Sequence, residues 1–478
     1  MKLHSIKEPH LEFGRGTDIC PRRGIAQHDV YDSKYNARRD RILVGAVGTG
    51  SDLDELESWL DRCAGYIPAP PKSRQPNLRV PFPGFNSEIG FKAKFAIADE
   101  ITKSLYDVDI RQILRIENWN QRVEAAVDLY YRNIKFLSQN RVVDVIVCVI
   151  PNELYSAVAK EPQLTVEETI EEENPEDDIE SNFRRALKAR AMHLGKPLQL
   201  VRAATFESTL ESESKNKQDD ATKAWNFCTA LYYKANQTVP WRLITNKSKP
   251  QVCYVGIGFY RSRDRKILNT SLAQIFDELG NNVILRGTPV DVDKDDRRPH
   301  LTDEQAYELL TRALGEYKIA METSPARLVL HKSSNYNDEE MDGFQRAMDD
   351  ANVRTADFVT IMDTNLRLFR SGDYPPYRGT HVEFDKKMHL LYTRGSVEWY
   401  KTYTGLYVPQ PLEIRIVQAD ESPTVICSEI LNLTKMNWNN TQFDGKYPIT
   451  IQCARRVGQV MKYLGLNDHP QISYSFYM

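Results

Sequence analysis

The sequence predicts an α/β protein of two modules, a Rossmann-like one ending near residue 240 and a second beginning near Gln251. Strands and amphipathic helices alternate along the chain, which implies sheets buried on both faces. The run Val143-Asp144-Val145-Ile146-Val147-Cys148-Val149-Ile150, closed by Pro151, is the strongest strand signal. It is fed by a helix with Val123, Ala126, Val127, Tyr130, Ile134 and Leu137 at helical spacing.

The elements follow in order. Ile42–Val47 reads as a buried strand. A helix starts after it, with Ser51 expected as its cap and Leu53, Leu56, Trp59 and Leu60 on one face. Between them, Gly45-Ala46-Val47-Gly48-Thr49-Gly50 has neither a Gly-Lys-Ser/Thr ending nor a Gly-x-Gly-x-x-Gly spacing. A tight strand-to-helix turn explains its glycines, and a phosphate-cradling loop is the alternative. After an acidic segment, Glu167 to Glu180, come a basic helix from Phe183 to Leu194 and a strand at Pro197–Val201. In the second module, Val252–Tyr260, Ala326–His331, Phe358–Ile361 and Leu412–Val417 read as strands. Thr302 and Gln305 form a capping box before Ala306, Leu309, Leu310, Ala313 and Leu314. A last helix, about Ile449 to Leu464, precedes a polar and aromatic tail.

Composition excludes some classes. The net charge of −3 argues against a uniformly basic nucleic-acid coat but leaves room for a local basic channel. The acidic segment carries carboxylates and no base, so it reads as a solvated insert at about 163–181, and the remainder without it is net basic. Seven scattered cysteines without a Cys-x-x-Cys pair argue against a disulfide framework or a zinc site, and Cys148 and Cys253 read as buried strand residues. No apolar stretch is long enough for a bilayer and the N-terminus lacks a signal-peptide core, so a cytoplasmic location is the expectation.

The basic helix carries Arg184, Arg185, Lys188 and Arg190. Arg184 and Lys188, four apart, share a face. Gln199 follows at a strand start, Lys234 lies in Leu231-Tyr232-Tyr233-Lys234-Ala235-Asn236, and Pro240-Trp241 closes the module. Read alone, this is a solvated basic face or an anion site. The pattern resembles the MID domain of Argonautes, and the resemblance implies that Arg184, Lys188, Gln199 and Lys234 grip the 5′ phosphate of a guide strand. Arg184 stands where many members have Tyr; a guanidinium can stack on the first base or pair with the phosphate.

Val252-Cys253-Tyr254-Val255-Gly256-Ile257-Gly258-Phe259-Tyr260 resembles the first strand of a PIWI domain, the ribonuclease-H-like half of an Argonaute. Cleaving members place an Asp where Gly258 stands. The resemblance sets Ser333 and Arg455 at two further catalytic positions, so no carboxylate occupies any of the three. Asp291, Asp293 or Asp295 could mimic a fourth acid, but a lone acid cannot assemble a two-metal centre. Leu433-Thr434-Lys435-Met436-Asn437-Trp438-Asn439-Asn440 resembles PIWI sequence near the guide's first phosphates, which implies phosphate contacts by Lys435, Asn437 and Asn439; a polar turn before a helix is the other reading. The end, Ser473 to Met478, resembles Argonaute C-termini, whose carboxylate in some relatives holds a Mg²⁺ bridging guide phosphates.

The resemblance spans roughly residues 35 to 478: an N-terminal segment (1–34), a Rossmann-like MID domain (35–245) and a ribonuclease-H-like PIWI domain (246–478). It implies a short prokaryotic Argonaute, catalytically inactive. Such a protein loads a guide, expected to be RNA, and senses complementary plasmid or phage DNA. It then activates an APAZ-bearing effector, a sirtuin-like or TIR NADase or, less readily, a nuclease. An active guide-directed endonuclease is the main alternative. An unrelated α/β enzyme with a small-molecule site near Gly45–Gly50 is the second.

Overall fold

The computed structural model describes residues 1–35, 38–70, 77–159, 181–206, 218–244, 251–263, 268–275, 282–290, 299–369, 371, 375–400, 403, 408–465 and 468–478. The acidic segment lies outside them, as do Asp291, Asp293 and Asp295. The chain begins with three short strands, β1 (Lys2–Ser5), β2 (Leu11–Glu12) and β3 (Thr17–Asp18), and helix α1 (Pro21–His28). The first large sheet then forms from β4 (Arg41–Gly48), β5 (Lys94–Ala96), β6 (Thr102–Ser104), β7 (Val145–Ile150) and β8 (Leu198–Arg202). Its order is β5-β4-β7-β8, all parallel, with β6 also beside β4. Every residue of β7 is buried, as its unbroken apolar run requires.

Helices cover this sheet: α2 (Gly50–Ala64), α3 (Asp107–Leu114), α4 (Trp119–Asn140), α5 (Asn152–Val158), α6 (Ser181–Ala191) and α7 (Asp220–Asn236). The expected apolar faces of α2 and α4 are buried. The cap of α2 is Thr49, not Ser51: its hydroxyl and Asp52 close a capping box. That turn also accounts for the glycines before it. A Cβ at Gly45 would touch Val143 and one at Gly48 would touch Val149, so both are strand positions where β7 approaches closely.

The second sheet is nine-stranded among the described residues. With β9 (Arg242–Leu243) pairing β2, its strands are β10 (Val252–Arg261), β11 (Leu268–Ile275), β12 (Asn282–Val290), β13 (Arg327–Lys332), β14 (Ala356–Asp363), β15 (Thr380–Glu383), β16 (Met388–Leu391), β17 (Leu412–Gln418) and, at the edge, β1. The order is β1-β15-β16-β17-β14-β13-β10-β11-β12. The N-terminal segment is therefore part of this sheet, Leu3 lying opposite Val382. Strands β11 and β12 were not read from the sequence. Helices α8 (Asp303–Met321) and α9 (Asp338–Asp350) pack on one face of β10 and β13, while α10 (Pro423–Leu433) and α11 (Ile449–Met461) lie on the other. Thr302 and Gln305 form the expected capping box of α8.

Helix α11 crosses β10 at very short range. A Cβ at Gly256 would lie 2.2 Å from the Thr450 carbonyl oxygen, and one at Gly458 would meet the Tyr260 side chain. Glycine at both places lets backbone pack on backbone. One core runs through both modules, joining Trp225, Trp241, Trp438, Ala454, Tyr474 and Met478.

Candidate nucleic-acid interface

Helix α7 is buried almost all round, and Lys234 near its C-terminus is fully buried. Its ammonium donates to Gln199 Oε1 at 2.6 Å, so the pair expected from sequence meets. Gln199 stands on β8 opposite Val147 of β7. Lys188, on α6, is 3% exposed and lies close enough to β7 for its charge to oppose the burial that pushes the Cys148 thiol up. Burial pushes the pKa of Lys234 well below the ordinary lysine value, and the neighbouring charges of Arg184 and Arg456 add to it. Arg184 is half-buried on α6; Arg456 is half-buried on α11.

The structure thus brings Arg184, Gln199 and Lys234 together and adds Arg456 from the second module, while Lys188 acts on Cys148 of β7. Arg456 directly follows Arg455, and sequence alone does not show that it reaches the first module. The Arg455-Arg456 pair was the signal: consecutive helical residues point about 100° apart, so two arginines serve two different places. Among the described residues the charges that act on Lys234 are those of Arg184 and Arg456, and both repel it.

The C-terminal tail packs against this region. Tyr474–Phe476 forms a buried 3-10 turn between α7 and β12, Tyr477 donates to the Gln471 carbonyl at 2.7 Å, and Met478 is buried. Among the described residues no three His, Cys, Asp or Glu side chains come together as a metal site. The groups around Lys234 are cations and an amide, which do not make a ligand set for Mg²⁺. A Mg²⁺ held at Met478 would depend on its carboxylate and on phosphates alone.

Lys435 requires a correction. It is buried, with its ammonium 2.7 Å from Glu8 Oε1, donating to the Ile19 carbonyl at 2.5 Å and lying 3.6 Å above the Phe443 ring. The N-terminal segment takes two of its three donors and supplies its counter-charge, so Lys435 clasps that segment to the second module. Asn437 and Asn439 form a half-buried turn in which Asn437 Oδ1 accepts from the Asn439 amide at 3.1 Å. Trp438 between them stacks on Tyr233, whose centroid is 5.2 Å away, which holds the turn beside the residue preceding Lys234.

Gly258 and Ser333 lie side by side, and Arg455 is on the helix that crosses β10. Ile257 is registered with Lys332, so Gly258 and Ser333 are the next pair along parallel β10 and β13. Arg455 lies on α11, its guanidinium carbon 4.2 Å from the centre of the Tyr447 ring. None of the three offers a carboxylate. An acid near Arg455 is Asp363, at the end of β14, which accepts from Tyr447 Oη at 2.6 Å and pairs with Lys446 at 2.9 Å. Burial raises its pKa, but the Tyr447 hydrogen bond and the charges of Lys446 and Arg455 outweigh this and hold it low.

The fold as a whole superposes on solved structures. The Argonaute of Clostridium butyricum, bound to a guide DNA and a 19-mer target DNA, superposes with a TM-score of 0.68 at 14% identity, over 99% of this chain and 54% of that one. Drosophila Piwi gives 0.66 at 14% identity, over 99% and 56%. The fold is that of the Argonaute and Piwi proteins. In sequence, an Argonaute of Aquifex aeolicus (strain VF5) is 24% identical over 231 residues, 47% of this chain and 29% of that protein. No protein-family model matches the chain. The chain spans about half the length of these Argonaute structures, and less of the Aquifex protein.

Proposed function

We propose that this chain is the guide-directed recognition subunit of a prokaryotic immune complex: it binds the 5′ phosphate of a short guide, pairs the guide with complementary DNA, and does not cut. One observation carries the reading. Lys234 is fully buried, within reach of the charges of Arg184 and Arg456, with an amide as its hydrogen-bond partner. A terminal phosphate brings about two negative charges and several acceptor oxygens to these cations. Its arrival sets an attraction against the burial and repulsion that depress Lys234 and raises the pKa of that lysine. Gln199 can then turn an amide hydrogen to the phosphate.

The guide is expected to be RNA, lying as an A-form strand read through its backbone. The lack of carboxylates at Gly258, Ser333 and Arg455 supports recognition without cleavage. Activity then belongs to a partner chain, an APAZ-bearing effector of the NADase type, switched on when plasmid or phage DNA pairs. A Mg²⁺ bridging guide phosphates to the Met478 carboxylate belongs to the same expectation, but the grip described here does not use it.

The test is direct binding of 5′-phosphorylated and 5′-hydroxyl guides, with Lys188→Ala/Lys234→Ala beside the wild type. A preference for the phosphate that the double variant abolishes supports the site. Equal affinities for the two guides remove it. Guide-dependent cutting of a matched target with Mg²⁺ or Mn²⁺ would establish the endonuclease alternative.

A further inference from the structure

A cleft of about 740 Å³ opens where the two modules meet. One wall is the N-terminal half of α4 together with α6. The other is built by Arg263, just after β10, and by Tyr463 and Asp468, beyond the end of α11. On α6 the cleft touches Ala186, Ala189 and Arg190. At about 100° per residue these lie on the opposite side of the helix from Arg184 and Lys188, so a phosphate held at Lys234 does not fill it. The floor is apolar, with Val123, Val127, Ala189 and Met192 buried, and Trp119 and Tyr463 bring aromatic rings. The fixed charges are the three carboxylates of Glu124, Asp128 and Asp468 against the two guanidiniums of Arg190 and Arg263, a negative excess. Arg190 is paired with Asp128 at 3.4 Å, and Arg263 lies 4.8 Å from the centre of the Tyr463 ring. Glu124 is exposed and has no ion pair among the described residues. An anion would meet this excess with the wrong sign, whereas a flat cation suits the rings, the floor and Glu124 alike.

Building on the proposed function, which calls for a partner chain, we infer that this cleft seats an arginine side chain of that partner. The floor takes the methylene stem, as such stems lie along apolar surface. The aromatic rings attract the guanidinium, and the Glu124 carboxylate accepts its fork of N–H donors. A lysine ammonium is a compact, strongly hydrated charge that neither stacks nor forks, so arginine is the better fit. Arg263 is the competitor, since it already lies over Tyr463. Because the two walls belong to different modules, a partner anchored here touches both.

The experiment titrates the full chain with acetyl-Gly-Arg-Gly-amide, its neutral citrulline counterpart and acetyl-Gly-Glu-Gly-amide, with binding read by ligand-observed NMR. The arginine peptide should bind about tenfold tighter than the citrulline one, and the glutamate peptide weakest of the three. Glu124→Lys should weaken the arginine peptide about tenfold. Arg263→Glu should tighten it about fivefold, a gain that damage to the fold would not give. Both residues are exposed, so neither change disturbs the core. Affinity for a 5′-phosphorylated guide should match the wild type in both variants. Equal binding of the arginine and citrulline peptides, a preference for the glutamate peptide, or no effect of Glu124→Lys would overturn this inference and leave the guide site standing. A wild type that takes the arginine peptide and no guide would overturn the proposed function and leave the arginine seat in place.

Discussion

Lys234→Met is the most exacting perturbation the structure offers, because it should strengthen the protein while disabling it. Lys234 has no solvent contact, one hydrogen bond of 2.6 Å to an amide, and like charges from Arg184 and Arg456 around it. Burying an ion costs several kcal/mol after relaxation, and a hydrogen bond from a charged donor returns about 1.5–3 kcal/mol. Met has nearly the same volume and no charge, so packing changes little. Gln199 loses a donor but is half-exposed and can turn to water. The net expectation is a guide-free protein stabilised by about 1–3 kcal/mol. If the first module unfolds as a unit, each kcal/mol raises Tm by roughly 2–4 °C. The sign follows from linkage. The folded pKa lies below the unfolded one, so the unfolded state binds more protons between the two values and stability rises with pH there. The variant's advantage is therefore full below the depressed folded value and shrinks as pH climbs toward the ordinary lysine value. Denaturation of guide-free wild type and variant at several pH values, paired with binding of 5′-phosphorylated guide, checks both halves. Guide affinity should fall about 10–100-fold, the worth of one or two charge-assisted hydrogen bonds. A variant less stable than wild type that still prefers the phosphorylated guide would refute the reasoning.

Other expectations follow from other parts of the molecule. Glu8→Gln leaves the buried Arg378 and Lys435 without their shared carboxylate, so denaturation should show a loss of about 3–5 kcal/mol. Gly256→Ala drives a methyl into the Thr450 carbonyl and should cost at least about 1–3 kcal/mol or displace α11, read as a lower Tm and weaker guide binding through Arg456. The buried His381, stacked on His4 and 3.2 Å from His389, has its pKa pushed down to about 4 by burial and then by the charges of its two neighbours. The unfolded chain takes up the proton first, so stability should fall as pH drops from about 6.5 toward about 4. Hydrogen exchange should show β1 loosening early over that range. Arg456→Ala should weaken binding of a phosphorylated guide about tenfold and leave a hydroxyl guide unchanged.

The order of strands and helices was legible because each depends on local periodicity. The apolar run of β7 and the spacing of Val123 to Leu137 in α4 leave one face or both to be buried, and the chain obeys. Arg184, Lys188, Gln199 and Lys234 were legible as a group because they sit on consecutive elements of one parallel sheet, whose connections bring strand ends to one side. Lys435 misled because sequence shows a residue's type and not its partner, and Glu8 lies more than four hundred positions earlier. Arg456 was hidden for the same reason in reverse: its partners come from the other module.

The sequence by itself determined the α/β class, the cationic residue types near one sheet edge and the absence of carboxylates at Gly258, Ser333 and Arg455. Tertiary structure alone decided that β1 would join the far edge of the second sheet, that Lys435 would be spent on Glu8, and that Arg455 would lie over Tyr447 while its neighbour Arg456 acts on Lys234. Local pattern fixes what each segment must bury, while charge pairing depends on which distant segments meet. Only the folded chain sets those distances.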